Sequence, residues 1–409
     1  MKTIKSLPLI FDHHAHLSFY AMLCDCLNVG GCYSSQELLG TLRSLPADQL
    51  NIITGWHSER ITLSKEMLSG YAPVVIINFC LHGFICNEEA ACVLRANGIN
   101  PYPADSLEAE RETAKIFTFF PEYAKQRQNE QELTDIFKRY TELMQKEGLY
   151  GLEDMMYTLP QAFPQELFPD FQVITRRYYR ASNDKTPAGN FGNLTAQSSR
   201  ERLKLFCDGA IGARTAAIGK PYSGGGHPTL IYQDDELEPI LQDCIAREAD
   251  LAIHAIGEAA INQVLRIYKR CLPLPVGNRF SLRLEHCQFI TLEQAQRAKQ
   301  LGLTLSMQPN FNDDSQKYRD RLPIEYCQGN NPFRMLIDQA GFVPGQDLLF
   351  GSDGMPAGLA QALQNSLFPA YPGQALTVEE LLAGYTADPR KGTRDYEIDD
   401  VSKTVRLVC

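Results

Sequence analysis

Eight short apolar runs, each ending in polar residues or glycine, recur along the chain: Leu9–His16, Leu149–Met156, Phe171–Tyr178, Leu203–Gly209, Leu251–Gly257, Phe280–Cys287, Leu303–Pro309 and Leu348–Asp353. From the fourth onward, amphipathic stretches such as Ile261–Lys269 and Leu292–Leu301 separate them. Short apolar runs between turn signals read as strands buried on both faces, and strand–helix alternation reads as a parallel sheet. Eight such units predict an α/β fold of the closed (β/α)8 barrel type. One interval breaks the rhythm. Roughly 130 residues separate the first run from the second, far more than a βα connection needs. Residues 45–145 are therefore expected to form an inserted α/β subdomain over one rim, leaving 1–44 and 146–409 for the barrel. Within the insertion, Tyr71–Cys80 looks strand-like, and Ser106–Phe117 and Asn129–Lys146 look like charged helices.

A content of 44% hydrophobic and 22% charged residues excludes disordered, collagenous and coiled-coil chains. The net charge of −10 argues against a nucleic-acid partner, because phosphate binding rests on clustered Lys and Arg. The opening MKTIKSLPLIFDHHAHL has neither the long apolar core nor the small-residue cleavage site of a secretory signal. The most apolar stretch, Val74–Cys86, is too short to span a bilayer and carries Asn78 and His82. A cytoplasmic protein without a membrane partner is expected. The twelve cysteines include a CxC pair, Cys24 and Cys26, and the evenly spaced Cys80, Cys86 and Cys92. Neither pattern matches a zinc ribbon, so reduced, buried thiols are expected.

The chemistry lies in the histidines. His14 and His16 sit two apart at the end of the first run, so both face one side of a strand, with His13 facing the other. His254 and His286 end the fifth and sixth runs, and Asp353 ends the eighth. Four histidines and an aspartate at the carboxyl ends of barrel strands lie on the rim where such folds gather their sites. Neutral imidazole and carboxylate suit zinc and similar divalent ions.

The segments FDHHAH (11–16), KLFCDGAIGARTAA (204–217), IHAIGEAAI (253–261), RLEHCQ (283–288), MQPNF (307–311) and FGSD (350–353) together resemble the amidohydrolase superfamily, in its amidohydrolase-3 or YtcJ-like branch. The resemblance implies a binuclear centre, with two Zn, or else Mn, Fe or Ni. His14, His16, His254, His286 and Asp353 would be ligands, and Lys204 would carry CO2 as a bridging carbamate. It further implies hydrolysis of a C–N bond, of amide or N-acyl type, in a small-molecule substrate, by a metal-activated water with Asp353 as general base. His82 matches a histidine kept in the branch's insertion and is a candidate substrate contact. Arg214, in the loop after the fourth run, could hold a substrate carboxylate or carbonyl. Gln308 and Asn310, after the seventh, could donate to substrate oxygens. Glu285 is a candidate partner for a ligand histidine, although neighbouring strand positions face opposite ways.

Two other readings remain. Deaminases of the adenosine type place a catalytic Glu three residues after the strand-five histidine, whereas Glu258 comes four after His254. A catalytically inactive relative would serve as a binding or regulatory protein, but all six ligand positions are present here. Most members of the family also carry a small β-sandwich built from segments flanking the barrel. Eight residues precede the first run, and the tail after Gly384 lacks glycine- and apolar-rich strands. The sandwich is thus expected to be missing, and the bared flank to be covered in a homo-oligomer.

Overall fold

The computed structural model describes residues 2–408 apart from 24–25, 59, 80–82, 106–107, 110, 114, 117–118, 121–122, 124–129, 158–164, 180–199 and 355. The chain divides into two compact units, Met1–Ser18 with Phe137–Cys409, and Phe19–Ile136.

The larger unit is mixed α/β. Its strands are β1 (Lys2–Ala15), β2 (Leu149–Asp154), β3 (Gln172–Thr175), β4 (Arg177–Tyr178), β5 (Arg202–Phe206), β6 (Asp250–Ala255), β7 (Ser281–His286), β8 (Thr304–Met307), β9 (Leu348–Phe350), β10 (Asp388–Asp399) and β11 (Thr404–Leu407). Each of the eight apolar runs carries one of β1 to β9; the third is split at Arg176 into β3 and β4. Two sheets result, ordered β11-β10-β1-β2-β3 and β9-β8-β7-β6-β5-β4. The ladders from β1 to β3 and from β4 to β9 are parallel. β2 is buried along its whole length, and β6 and β7 at every residue but the first, as expected of strands covered on both faces. Helices Asp234–Ala246, Glu258–Arg270 and Leu292–Gln300 make the crossovers β5–β6, β6–β7 and β7–β8. Thr291 and Gln294 close a reciprocal cap on the last of these, and Asp234, Asp235 and Glu236 place negative charge at the start of the first.

The sequence reading of the tail requires correction. β1 pairs antiparallel with β10 over Lys2–Leu9 before turning to β2, and β10 pairs antiparallel with β11. β10 reads Asp-Pro-Arg-Lys-Gly-Thr-Arg-Asp-Tyr-Glu-Ile-Asp, and only Tyr396 and Ile398 are buried. A strand so polar gives no apolar run to find.

The smaller unit holds a four-stranded sheet ordered Leu27–Asn28, Asn51–Trp56, Val74–Asn78, Phe84–Cys86, parallel except for the last. Val75 and Ile77 pack into one buried cluster and Val74 and Ile76 into another, as alternation across a strand requires. This unit begins at Phe19, well before the residue-45 boundary set by sequence spacing. No helix among the described residues is long and apolar enough to cross a membrane. Cys86, Cys207, Cys244, Cys287 and Cys327 are buried free thiols.

Candidate metal centre

His14 is fully buried at the end of β1, with His16 just beyond, and their rings lie 5.5 Å apart. Strand alternation sends Asp12, His14 and His16 one way. His13 goes the other, its Nε2 2.7 Å from Thr386 Oγ1. Asp12 accepts from the amides of His14 (3.0 Å) and Ser352 (2.9 Å) and from Ser352 Oγ (2.5 Å). Asp353 N donates to His14 O at 2.7 Å. These bonds lock the end of β1 to the segment after β9. Gly351 permits the approach: a Cβ there would lie 2.4 Å from His14 N.

His254 ends β6 in register with Phe206 and Glu285. Its ring is 4.5 Å from His286, which is 4.7 Å from His14. His286 and Asp353 both adopt left-handed backbone, φ 70° and 58°. Such conformations cost about 1–3 kcal/mol for non-glycine residues and cluster at functional sites. Here they turn two side chains inward that strand geometry would send elsewhere. One donor atom each from His14, His286 and Asp353 fall within 4.8 Å of one another. His16 Nε2 lies 2.9 Å from Asp353 Oδ1, and His14 Nε2 lies 3.4 Å from it.

Which nitrogen of each imidazole carries the hydrogen follows from the partner it meets. His14 Nδ1 lies 2.6 Å from Glu285 Oε2, His286 Nδ1 2.8 Å from Gln308 Oε1, and His254 Nε2 3.0 Å from Gly209 O. Carboxylate and carbonyl oxygens only accept, so those nitrogens carry the hydrogens. Nε2 of His14 and His286 and Nδ1 of His254 keep their lone pairs. Burial, and after it the Lys204 charge for His14 and the His14 and Lys204 charges for His286, push both imidazoles well below the usual range, so they are neutral. Burial pulls Asp353 upward, but the hydrogen bond from His16 and the Lys204 ammonium counter it and hold the carboxyl low.

Lys204, on β5, is fully buried, with Nζ 5.1 Å from the Phe206 ring. Two buried nitrogens, His14 Nε2 and Lys204 Nζ, make no hydrogen bond. Burial lowers the Lys204 ammonium to about 8 against the pull of Glu285 and Asp353. A neutral imidazole lone pair and an amine buried without partners, beside an ionised carboxylate, are the donor set a divalent cation would satisfy.

Of the candidate substrate contacts, His82 lies outside the described residues. Arg214 sits in the loop after β5 with φ 59°, a third exposed, its Nη2 4.0 Å from Asp320. Gln308 spends its carbonyl on His286, and its buried Nε2 has no partner. Asn310 donates from Nδ2 to Ser352 O at 2.9 Å, bracing the segment before Asp353. Glu258 accepts from Gly219 N and from Tyr326 Oη. Sequence reasoning missed Asp208, which accepts from the amides of Ala217, Ile256 and Gly257 at 2.8–2.9 Å and ties the loop after β5 to the end of β6.

A model of the amidohydrolase family matches residues 7–391, which takes in every proposed ligand. The chain belongs to that family. YtcJ of Bacillus subtilis (strain 168), an amidohydrolase by name, is 31% identical over 111 residues, 27% of this chain and 20% of that protein. Protein LONG AFTER FAR-RED 3 of Arabidopsis thaliana is 25% identical over 126 residues, 30% of this chain and 22% of that one. These matches span about a fifth of either relative's length. Crystal structures of uncharacterized metal-dependent hydrolases resemble the fold. That from Pyrococcus horikoshii OT3 has a TM-score of 0.64 at 22% identity, covering 94% of this chain and 80% of that one. That from Pyrococcus furiosus has a TM-score of 0.62 at 20% identity, covering 94% and 81%.

Proposed function

We propose that this amidohydrolase hydrolyses a C–N bond of amide or N-acyl type in a small molecule, on a centre of two divalent ions held by His14, His16, Lys204, His254, His286 and Asp353. Supporting it above all is the convergence of donors from the ends of separate strands on two buried nitrogens that have no other partner. We also infer that the two sheets of the larger unit close into one eight-stranded barrel. β3 and β4 follow each other across Arg176, and Asp353 N bonds β1 on the opposite side. Such a barrel would carry the proposed ligands on its carboxyl rim.

Bound metal would supply Lewis acidity and an acidified water, with zinc, manganese, iron or nickel all compatible with these donors. The chain does the rest. Asp353 Oδ1, ionised and oriented by His16, takes a proton from the attacking water and returns it to the departing nitrogen; a weak base suffices for a water already acidified. Lys204, once its ammonium has shed a proton, could take up CO2 with release of a second proton, and the resulting carbamate anion would add a carboxylate-like ligand to the centre. Glu285, Gln308 and Gly209 fix which nitrogen each histidine presents.

The test is a metal assay with a substrate panel. Protein grown in zinc- or manganese-supplemented medium should carry about two equivalents and release amine from simple amides and N-acyl compounds, but not ammonia from adenosine. Metal-free protein inert on the panel would sink the proposal. Incubation with 13C-bicarbonate should give a carbamate carbon signal that is lost in Lys204→Ala.

A further inference from the structure

The interior between β2, β4, β5, β6 and β7 is charged, where aliphatic layers are the rule. Glu285 accepts from Arg283 Nε on Oε1 (2.5 Å) and from His14 Nδ1 on Oε2 (2.6 Å). Arg283 Nη1 reaches Glu153 Oε2 at 2.8 Å, and Glu153 Oε1 takes Arg176 Nε at 2.6 Å. Arg176 ends on Asp250, donating from Nη1 to the carbonyl (2.6 Å) and lying 3.1 Å from Oδ1 through Nη2. Only Asp250 reaches solvent, with 25% of its side chain exposed; no other member exceeds 7%. By register, Asp250 lies four residues before the level of Glu285, roughly 13 Å along the strands.

Stability alone does not explain such a chain, since apolar residues of equal volume usually pack as well or better. Its bonding pattern does. Every oxygen of Glu285 and Glu153 is committed, so neither carboxylate can rotate. The Arg283 fork is held further by His13 O at 3.3 Å and Met155 Sδ at 3.2 Å.

We propose that Arg283, Glu153 and Arg176 are positioning residues: an alternating strut, Asp250–Arg176–Glu153–Arg283–Glu285, that holds the Glu285 carboxylate against His14 Nδ1 so that Nε2 stays turned to the cation. The inference rests on the metal-centre reading above, but it makes a claim about the metal-free protein too. A lone carboxylate would be free to swing away, and His14 would sample both tautomers. The strut removes that freedom before any ion arrives.

The experiment is 15N NMR of histidine-labelled, metal-free protein, with zinc titration against a competing chelator. In wild type, His14 shows one tautomer, hydrogen on Nδ1. Arg283→Lys leaves one nitrogen where two carboxylates each take a separate one, so it should give mixed His14 tautomers and a loss of about 10- to 100-fold in zinc affinity. Glu153→Gln, farther along the strut, should act in the same direction by a smaller factor and serves if Arg283→Lys does not fold. Leu241→Ala, a buried helix position remote from the strut, controls for stability and should lower the melting temperature without moving either readout. Unchanged tautomer and affinity in folded Arg283→Lys or Glu153→Gln would overturn the strut. A wild type that binds no zinc, yet shows the single tautomer lost in those variants, would leave the strut standing and overturn the function proposed above.

Discussion

Replacing Lys204 by methionine should stabilise the metal-free protein while weakening its hold on metal. Nζ is fully buried without a hydrogen bond, and burial has brought the ammonium from 10.5 to about 8. That fall corresponds to about 3 kcal/mol of stability forgone at pH 7, where the group is charged both folded and unfolded. Methionine has similar volume and no charge to bury, but it forfeits the cation's contact with the Phe206 ring, worth about 0.5–2 kcal/mol, so a net gain of about 2 kcal/mol is expected. The pH dependence has a definite sign. Between pH 8 and 10.5 the unfolded lysine holds a proton that the folded one has released, so wild type gains stability as pH rises through this window and Lys204→Met does not. Urea melts of chelator-treated proteins at pH 7 and pH 10 should show the variant ahead at the first and the gap nearly closed at the second. A variant no more stable at pH 7, or a gap of equal size at pH 10, would refute the electrostatic account.

Asp353→Asn should lower kcat by about 100-fold or more with a lesser change in KM, because the proton transfer is lost; steady-state kinetics on the amide found in the panel would check it. Gly351→Ala should cost roughly 1–3 kcal/mol and weaken zinc binding, since the added methyl meets His14 N and Cβ at 2.4 and 2.5 Å; calorimetry and chelator competition read the two effects. Glu153 is held below the usual carboxylate range: burial raises it, and Arg176 and Arg283 together outweigh that. The stability it contributes is therefore complete above about pH 4.3 and lost as pH falls through its lower folded value, and Glu153→Gln should flatten that acid limb in urea melts taken from pH 3 to 6. Zinc at about 100 times its Kd should raise wild-type stability by about 2.7 kcal/mol, and leave a His14→Ala variant unmoved.

The ligands were legible because their signal is local. His14 and His16 share a strand face at spacing two, and His254, His286 and Asp353 lie at the ends of short apolar runs, whereas Lys204 lies near the start of its run and only the family resemblance singles it out. Glu285 is legible as a candidate partner for a ligand histidine, but the histidine it meets, His14, is not. Strand alternation does part Glu285 and His286, but His286 is the last residue of β7 and has φ 70°, and both side chains reach His14, Glu285 by a hydrogen bond and His286 by a ring contact. No residue type signals a left-handed backbone at a histidine. The roles of Gln308 and Asn310 were equally hidden: both are amides at a strand end, and only the fold decides that they brace His286 and Ser352. The smaller unit starts near residue 19 because the two-residue strand Leu27–Asn28 and the helix Ser35–Thr41 carry too little periodicity to read as separate elements.

The same physics accounts for a charged interior and for an unsatisfied lysine. With neutral histidines, the ammonium of Lys204 and the two guanidiniums offset only part of the charge on Glu285, Glu153, Asp353, Asp250 and Asp12, so the metal-free core already carries a negative excess. Carbamate formation would remove that positive charge and add a negative one, and the deficit calls for a divalent cation. Carbamate and metal thus stabilise each other, and neither should accumulate alone. Zinc affinity should therefore fall when CO2 is stripped from the buffer and recover on adding bicarbonate, whereas Lys204→Met should bind weakly and indifferently to bicarbonate. Wild-type affinity unmoved by bicarbonate would separate the lysine from the metal and remove the bridge from the proposed centre.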